Sequence, residues 1–444
     1  MRFTRLGFAF AGAAMVAASL AAPTPALAQA NEQFIPALVY RTGPFGPNGT
    51  PFADGFVDYL KMINARDGGV NGVRLTWEEC ETAYNTDRGV ECYERLKARG
   101  PTGATAIVPL STGITYALIE RTVQDRIPLL TSGYGRSDSS DGRVFPWTFT
   151  LPATYYSQMD AIVQFIRSKE GGNLRGKKIS YIYHDSAFGK EPLPVIQRLA
   201  REQGFELTEF PVPNPGVEQK AIWLRIGRQI RPNYVIMWGW GIMNPTAIQE
   251  AAAVGFPRDR FIGVWWAGSE QDVTPPGDLA KGYLSANYHG SGKDYKVIRD
   301  IENLIHKAGQ ATGDGKHIGT VLYNRGAVNA AMIVEAVRTA QEKHGKGKPM
   351  TGAQVRDGFE ALNLDTTRLA AMGFEGFMPP LKLSCADHEG GGIVRIQQWD
   401  GKKWNWASDW IEPNRKMIRE MYEASSGQYA REKNITPRNC ASQS

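Results

Sequence analysis

Residues 178–211 read KISYIYHDSAFGKEPLPVIQRLAREQGFELTEFP. The run 178–183 is short, apolar and β-prone, and ends in a polar loop, His184-Asp185-Ser186-Ala187-Phe188-Gly189. Leu193, Ile196, Leu199 and Ala200 then recur at helical spacing, and 206–211 is β-prone again. A strand, a helix and a second strand of this length predict parallel pairing through a right-handed crossover.

Outward from this unit the alternation continues. Strands are predicted at 33–40, 73–78, 104–110, 127–131, 234–238 and 261–264. Most are apolar runs bounded by Gly, Pro or charge, as expected of strands buried on both faces. Phe52, Phe56, Leu60 and Ile63 form one helical stripe; Val328, Met332, Ala336 and Ala340 form another. The class is therefore α/β with parallel sheets, in two units. The first runs to Thr150, an extended crossing segment covers 146–152, and the second series begins at Lys178. A Gly- and Pro-rich stretch at 268–292 interrupts the pattern, and 385–410 reads as a hairpin turning at Asp400-Gly401-Lys402.

The 444 residues carry 51 Lys+Arg against 45 Asp+Glu, with 42% hydrophobic and 22% charged residues. That composition excludes a disordered chain, and a charge of +6 is too thin for a nucleic-acid partner. Residues 1–28 read as an export signal. Arg2 and Arg5 precede an apolar run from Leu6 to Ala22, and Ala26-Leu27-Ala28 supplies the small-x-small site, so cleavage is expected after Ala28. A soluble periplasmic protein, monomeric, is expected. The four cysteines fit an oxidising compartment. Three pairings are possible; Cys80–Cys92 and Cys385–Cys440 are favoured because each pair lies within one local region.

Catalytic constellations are scarce in the sequence. None of the six histidines has a metal-ligand spacing, and no C-x-x-C occurs. Asp387-His388-Glu389 reads as a loop or bulge rather than a metal site. His184-Asp185-Ser186 holds three triad residue types that cannot align within one loop. Residues 171–178 nearly match a phosphate loop but precede a strand, and Lys178 replaces the required hydroxyl. No enzyme activity, metal or cofactor is expected.

Ligands of open α/β sheets bind beyond the carboxyl ends of the strands. Those positions hold Arg41 to Gly49, with Phe45; Ser111-Thr112-Gly113; Gly133-Tyr134-Gly135; Phe188; Trp238 and Trp240; and Trp265-Trp266. Glycines admit a ligand to the backbone, hydroxyls donate hydrogen bonds and rings make walls. Four tryptophans at two adjacent strand ends suit a planar ligand.

The Gly43-Pro44-Phe45-Gly46-Pro47-Asn48-Gly49 loop, the Phe52 stripe, Cys92-Tyr93-Glu94-Arg95-Leu96 and Tyr183-His184-Asp185 with Phe188-Gly189 carry a resemblance. In their order, the sequence is similar to the periplasmic substrate-binding proteins of branched-chain amino acid ABC importers. The resemblance implies a type I periplasmic-binding-protein fold, two lobes on a three-strand hinge, and delivery of a small molecule to an inner-membrane permease. It implies lobe 1 from 29–150 and 286–372, and lobe 2 from 151–285 and 373–444. Ser111-Thr112 match the family's carboxylate loop, Gly133-Tyr134-Gly135 its next backbone loop, and Phe188 and Trp238 its second-lobe wall. The family's amino-acid binders hold the ligand ammonium with a Glu where this sequence has Gly263-Val264-Trp265-Trp266; Glu270 and Asp272 lie further along. A missing acid and added rings point to an aromatic carboxylate, of benzoate or hydroxycinnamate type. Ser384 to Glu389 and Trp399 to Trp404 resemble that branch. Arg41, Arg136 and His388 are further candidates for the carboxylate. Binding of an amino acid, amide or urea, a sensory role, and a secreted hydrolase are the rival readings. Replacing Trp238 by Ala is expected to weaken binding without changing the melting point of the free protein.

Overall fold

The computed structural model describes Met1 and residues 31–441, so the export-signal reading of 1–28 lies outside the described residues beyond Met1. β1 (Glu32–Val39) pairs in parallel with β2 (Arg74–Glu81), and β3 (Leu129–Leu130) with β4 (Thr148–Phe149). The strand expected at 104–110 is extended but irregular. It links β1 to β3 through Thr105 N–H to the Phe34 carbonyl (3.0 Å) and Leu130 N–H to the Ile107 carbonyl (2.9 Å). Pro109 offers no N–H, and Leu110 turns to φ +46°, so the ladder cannot continue.

The other lobe is built on a seven-stranded sheet. Its strands are β5 (Lys178–His184), β6 (Glu206–Val212), β7 (Tyr234–Trp238), β8 (Phe261–Gly263) and β9 (Leu284–Asn287), all parallel, then β12 (Arg395–Trp399), antiparallel to β9, and β13 (Trp404–Trp406), antiparallel to β12. The order is β13-β12-β9-β8-β7-β5-β6. β9 corrects the reading of 268–292 as an interruption. It is four buried residues preceded by a 3-10 turn and followed by a glycine-rich bend, too short to show a period of its own. The expected hairpin is present as β12 and β13, and β9 is what joins it to the sheet. A two-stranded ladder, β10 (Asn363–Leu364) with β11 (Leu381–Lys382), completes the strands.

All three helical stripes fold as helices, at Gly46–Asp67, Leu193–Gln203 and Val321–His344. The first and last cross at very short range. A Cβ on Gly55 would overlap the Tyr323 carbonyl, and one on Gly326 the Phe52 carbonyl. Glycine at both positions lets the backbones touch.

The chain passes between lobes after β4, after β9 and before β12. The first and third passages are bonded together: His388 N–H to Ser140 O (2.9 Å), Thr150 N–H to His388 O (3.0 Å) and Gly392 N–H to Pro152 O (3.1 Å). Disulfides join Cys80 to Cys92 and Cys385 to Cys440. The C-terminal helix Arg415–Glu432 lies against both lobes. The Tyr422 hydroxyl meets that of Thr154, while Ser425 and Ser426 donate to Asp138 (2.6 Å) and Asp141 (2.7 Å).

Candidate functional site

A small cavity lies where the strand ends of the two lobes face each other. Tyr40, Tyr84, Leu110, Ser111, Thr112 and Tyr134 line it from one side. Tyr155, Phe188, Trp240 and Trp266 line it from the other. No charged side chain is among them.

Each wall residue has a local cause. Ser111 caps the helix Thr112–Asp125, its Oγ accepting from Ile114 N–H (3.4 Å), which brings two hydroxyls to a helix N-terminus. The Tyr134 hydroxyl accepts from Leu110 N–H (2.9 Å) and donates to the Leu130 carbonyl (3.1 Å), so Tyr134 offers the cavity its ring. Trp240 meets Trp266 edge to face at 5.5 Å, and Phe188 leans on Tyr155 at 5.5 Å. Burial pushes the Tyr84 phenol up to about 12 and those of Tyr40 and Tyr155 well above their ordinary value. All three are neutral hydroxyl donors near pH 7.

The structure brings together Ser111, Thr112, Tyr134, Phe188, Trp240 and Trp266. It places the other expected residues elsewhere. Arg41 forks onto Glu79 (2.8 Å to each oxygen) and reaches Asp54 (2.7 Å), away from the cavity. Phe45 lies behind the wall, 4.5 Å from the Tyr84 ring and against Gly241. Gly135 donates its N–H to Thr112 Oγ1 (3.3 Å). Trp238 is inside the sheet at 0% exposure, against Tyr155 at 5.3 Å. Trp265, also 0% exposed, directs its indole N–H to Gly133 O (2.7 Å). Arg136 pairs with Asp138 and covers the Tyr429 ring at 4.4 Å. His388 stacks on Phe149 at 4.2 Å, its Nδ1 2.7 Å from the Thr148 carbonyl.

Tyr40, Tyr84, Leu110 and Tyr155 were not anticipated. Tyr40 closes the first strand run and Tyr84 follows the second, so the strand-end rule applied to every strand finds both. Leu110 ends the run just before Ser111. Tyr155 comes from a passage between lobes and carries no such signal.

Glu270 and Asp272 are committed to capping. Glu270 Oε2 accepts from Val321 N–H (2.9 Å) at the start of the long helix. Asp272 accepts from Ser269 N–H (2.8 Å), Ser269 Oγ (2.7 Å) and Asn244 Nδ2 (2.8 Å). Burial raises Asp272 to about 6. A raised carboxyl favours the folded state fully below its unfolded value near 4, and that contribution is lost as pH rises through 6. Denaturation of wild type and Asp272→Asn between pH 4 and 7 should therefore diverge. The wild type should lose up to about 3 kcal/mol more than the variant over that window, whatever constant offset the lost Oδ2 interactions give the variant.

Glu191 bridges the two lobes. Its carboxylate accepts from the Tyr116 hydroxyl (2.5 Å) and Ser137 N–H (2.7 Å) of the opposite lobe. Burial holds its carboxyl above the ordinary range.

Two α/β lobes on a three-passage hinge, with a ring-lined cavity between facing strand ends, define a two-lobed binding protein. Residues 32–403 match the family model described as periplasmic binding protein, and the chain belongs to that family. A solved structure from the Pseudomonas fluorescens group, described as an ABC transporter permease, is 44% identical; the match covers 92% of this chain and 99% of that one, with a TM-score of 0.87. A branched-chain amino acid ABC transporter protein from Thermus thermophilus with bound valine is 22% identical over 88% and 99% of the two chains, TM-score 0.74. A solute-binding protein of an ABC transporter from R. palustris in complex with benzoate is 16% identical over 86% and 97%, TM-score 0.67. The last two share the fold. No curated protein matches the chain.

Proposed function

We propose that this protein is the solute receptor of an ABC importer and that it binds a small aromatic carboxylate between its lobes. The observation that carries the ligand class is the cavity wall: rings and hydroxyls, with no carboxylate among the lining residues. An α-amino acid would bury its ammonium there without a partner, at a cost of several kcal/mol or more. Glu270 and Asp272, the acids that could have served it, already accept bonds from the backbone and from Ser269 and Asn244.

In this reading the ligand carboxylate meets Ser111 Oγ, Thr112 Oγ1 and the N-terminus of their helix, and the ring lies among Tyr155, Phe188, Trp240 and Trp266. Binding shifts the lobes toward the closed form, and the closed form is what an inner-membrane permease receives. The protein acts in the periplasm after removal of residues 1–28, as a monomer and without catalysis. The lobes divide near 150 and 286; the third boundary, expected at 372, moves to 384–392 in this reading because Leu381–Lys382 still pairs with Asn363–Leu364. Benzoate in the R. palustris relative supports the ligand class, and valine in the Thermus relative supports the rival.

Mass spectrometry of compounds released from protein purified without added ligand tests this assignment. An aromatic acid at near-stoichiometric yield is expected; a branched-chain amino acid would transfer the assignment to the rival.

A further inference from the structure

Six residues that the ligand reading leaves partly unexplained meet at one point of the cleft. Trp265 and Trp266 both direct their indole N–H to the Gly133 carbonyl, at 2.7 and 2.9 Å. A carbonyl oxygen has two lone pairs, so these two donors fill it. The neighbouring Ser132 carbonyl accepts from the Tyr288 hydroxyl at 3.3 Å. Ser132 and Gly133 follow β3 in one lobe, whereas Trp265, Trp266 and Tyr288 follow β8 and β9 in the other. Three aromatic donors thus cross the cleft to two consecutive carbonyls. Gly133 has φ +77°, and a Cβ there would stand 2.9 Å from the Trp265 ring, so this position requires glycine twice over.

Behind the donors lies Arg325, on the helix Val321–His344 and fully buried. Its guanidinium donates to the Trp265 carbonyl (2.6 Å), Asn287 Oδ1 (2.9 Å) and His289 Nε2 (3.1 Å). Its carbon stands 4.7 Å from the Trp266 ring and 5.0 Å from the Tyr288 ring. Among the described residues no carboxylate pairs with it. A planar fork of fixed geometry thereby holds the backbone of one donor and the faces of the other two.

We infer that the Ser132–Gly133 carbonyls and the Trp265, Trp266 and Tyr288 donors form a clasp between the lobes, with Arg325 as its positioning residue. The clasp holds the closed form shut whatever ligand lies inside. The inference rests on the proposed closing of the lobes around a solute, and it extends that reading by naming residues, Trp265 and Tyr288, that hold the closed form without lining the cavity, beside Trp266, which does both. Trp265 selects nothing, since it does not line the cavity.

Stopped-flow fluorescence on the full chain tests this with benzoate, 4-hydroxybenzoate and leucine as probes. Trp265→Phe removes one donor and keeps a ring. It should speed dissociation about five-fold, the effect of one buried hydrogen bond, by the same factor for every probe that binds. Association should change less than about two-fold, because the clasp forms only after encounter. Arg325→Lys, which keeps the charge and loses the fork, should act in the same direction and equally across probes. It also serves if Trp265→Phe does not fold. Loss that differs between probes, loss confined to association, or unchanged dissociation overturns the clasp. Leucine bound while both aromatic acids are ignored would sink the ligand assignment and leave the clasp readable. No response to any probe would overturn both.

Discussion

Replacing Trp238 with alanine is expected to destabilise the free protein by about 3–5 kcal/mol, the range for emptying a buried aromatic site. Trp238 ends β7 at 0% exposure, with its ring against Tyr155 at 5.3 Å and Tyr181 at 6.2 Å. It does not line the cavity. Among the described residues its indole N–H has no hydrogen-bond partner, so Trp238→Phe should recover most of the loss. Denaturant unfolding without ligand measures both variants. An alanine variant as stable as wild type but defective in binding would restore the wall role expected of Trp238 from its place at a strand end.

The second large effect belongs to Glu389, in the third passage. Its Oε1 accepts from Thr154 N–H (2.9 Å), Thr154 Oγ1 (2.9 Å) and Ser157 Oγ (2.5 Å), and Arg415 stands 3.6 Å from Oε2. Those donors start the helix Tyr155–Lys169, which carries Tyr155 into the cavity. Glu389→Ala should cost about 2–5 kcal/mol, because buried donors and one guanidinium lose their partner together. Glu389→Gln keeps the acceptor and should cost clearly less. The same unfolding measurement, with ligand affinity as a second readout, checks the pair. Equal and small losses for both would mean that the carboxylate is not what anchors the passage.

These two residues show where reading a sequence stops. β5 and β7 and the helices at Phe52, Leu193 and Val328 stand out because each buries a regular apolar face. β9 does not, since four residues between glycine-rich turns have no period to display. Trp238 and Trp240 are two positions apart, but β7 is apolar on both faces, so no alternation separates the ring inside the sheet from the ring beyond its end. The strand-end rule reached Ser111, Thr112, Tyr134, Phe188, Trp240 and Trp266, because loops after strands are local features. Tyr155 depends on Glu389, more than two hundred positions away. Arg41, Arg136 and His388 carried charge or a ring nitrogen suited to an anion, but each is engaged by Glu79 and Asp54, by Asp138, or by the Thr148 carbonyl. Partners of that kind are set by tertiary contact and leave no mark in the local sequence.

The central claim is that the cavity accepts an aromatic carboxylate and rejects an α-amino acid. Thermal unfolding of ligand-free protein in the presence of benzoate or leucine tests it most directly. A true ligand at a hundredfold excess over its Kd stabilises by about 2.7 kcal/mol. The melting temperature should rise with benzoate and stay unchanged with leucine; a rise with leucine and none with benzoate would contradict the account.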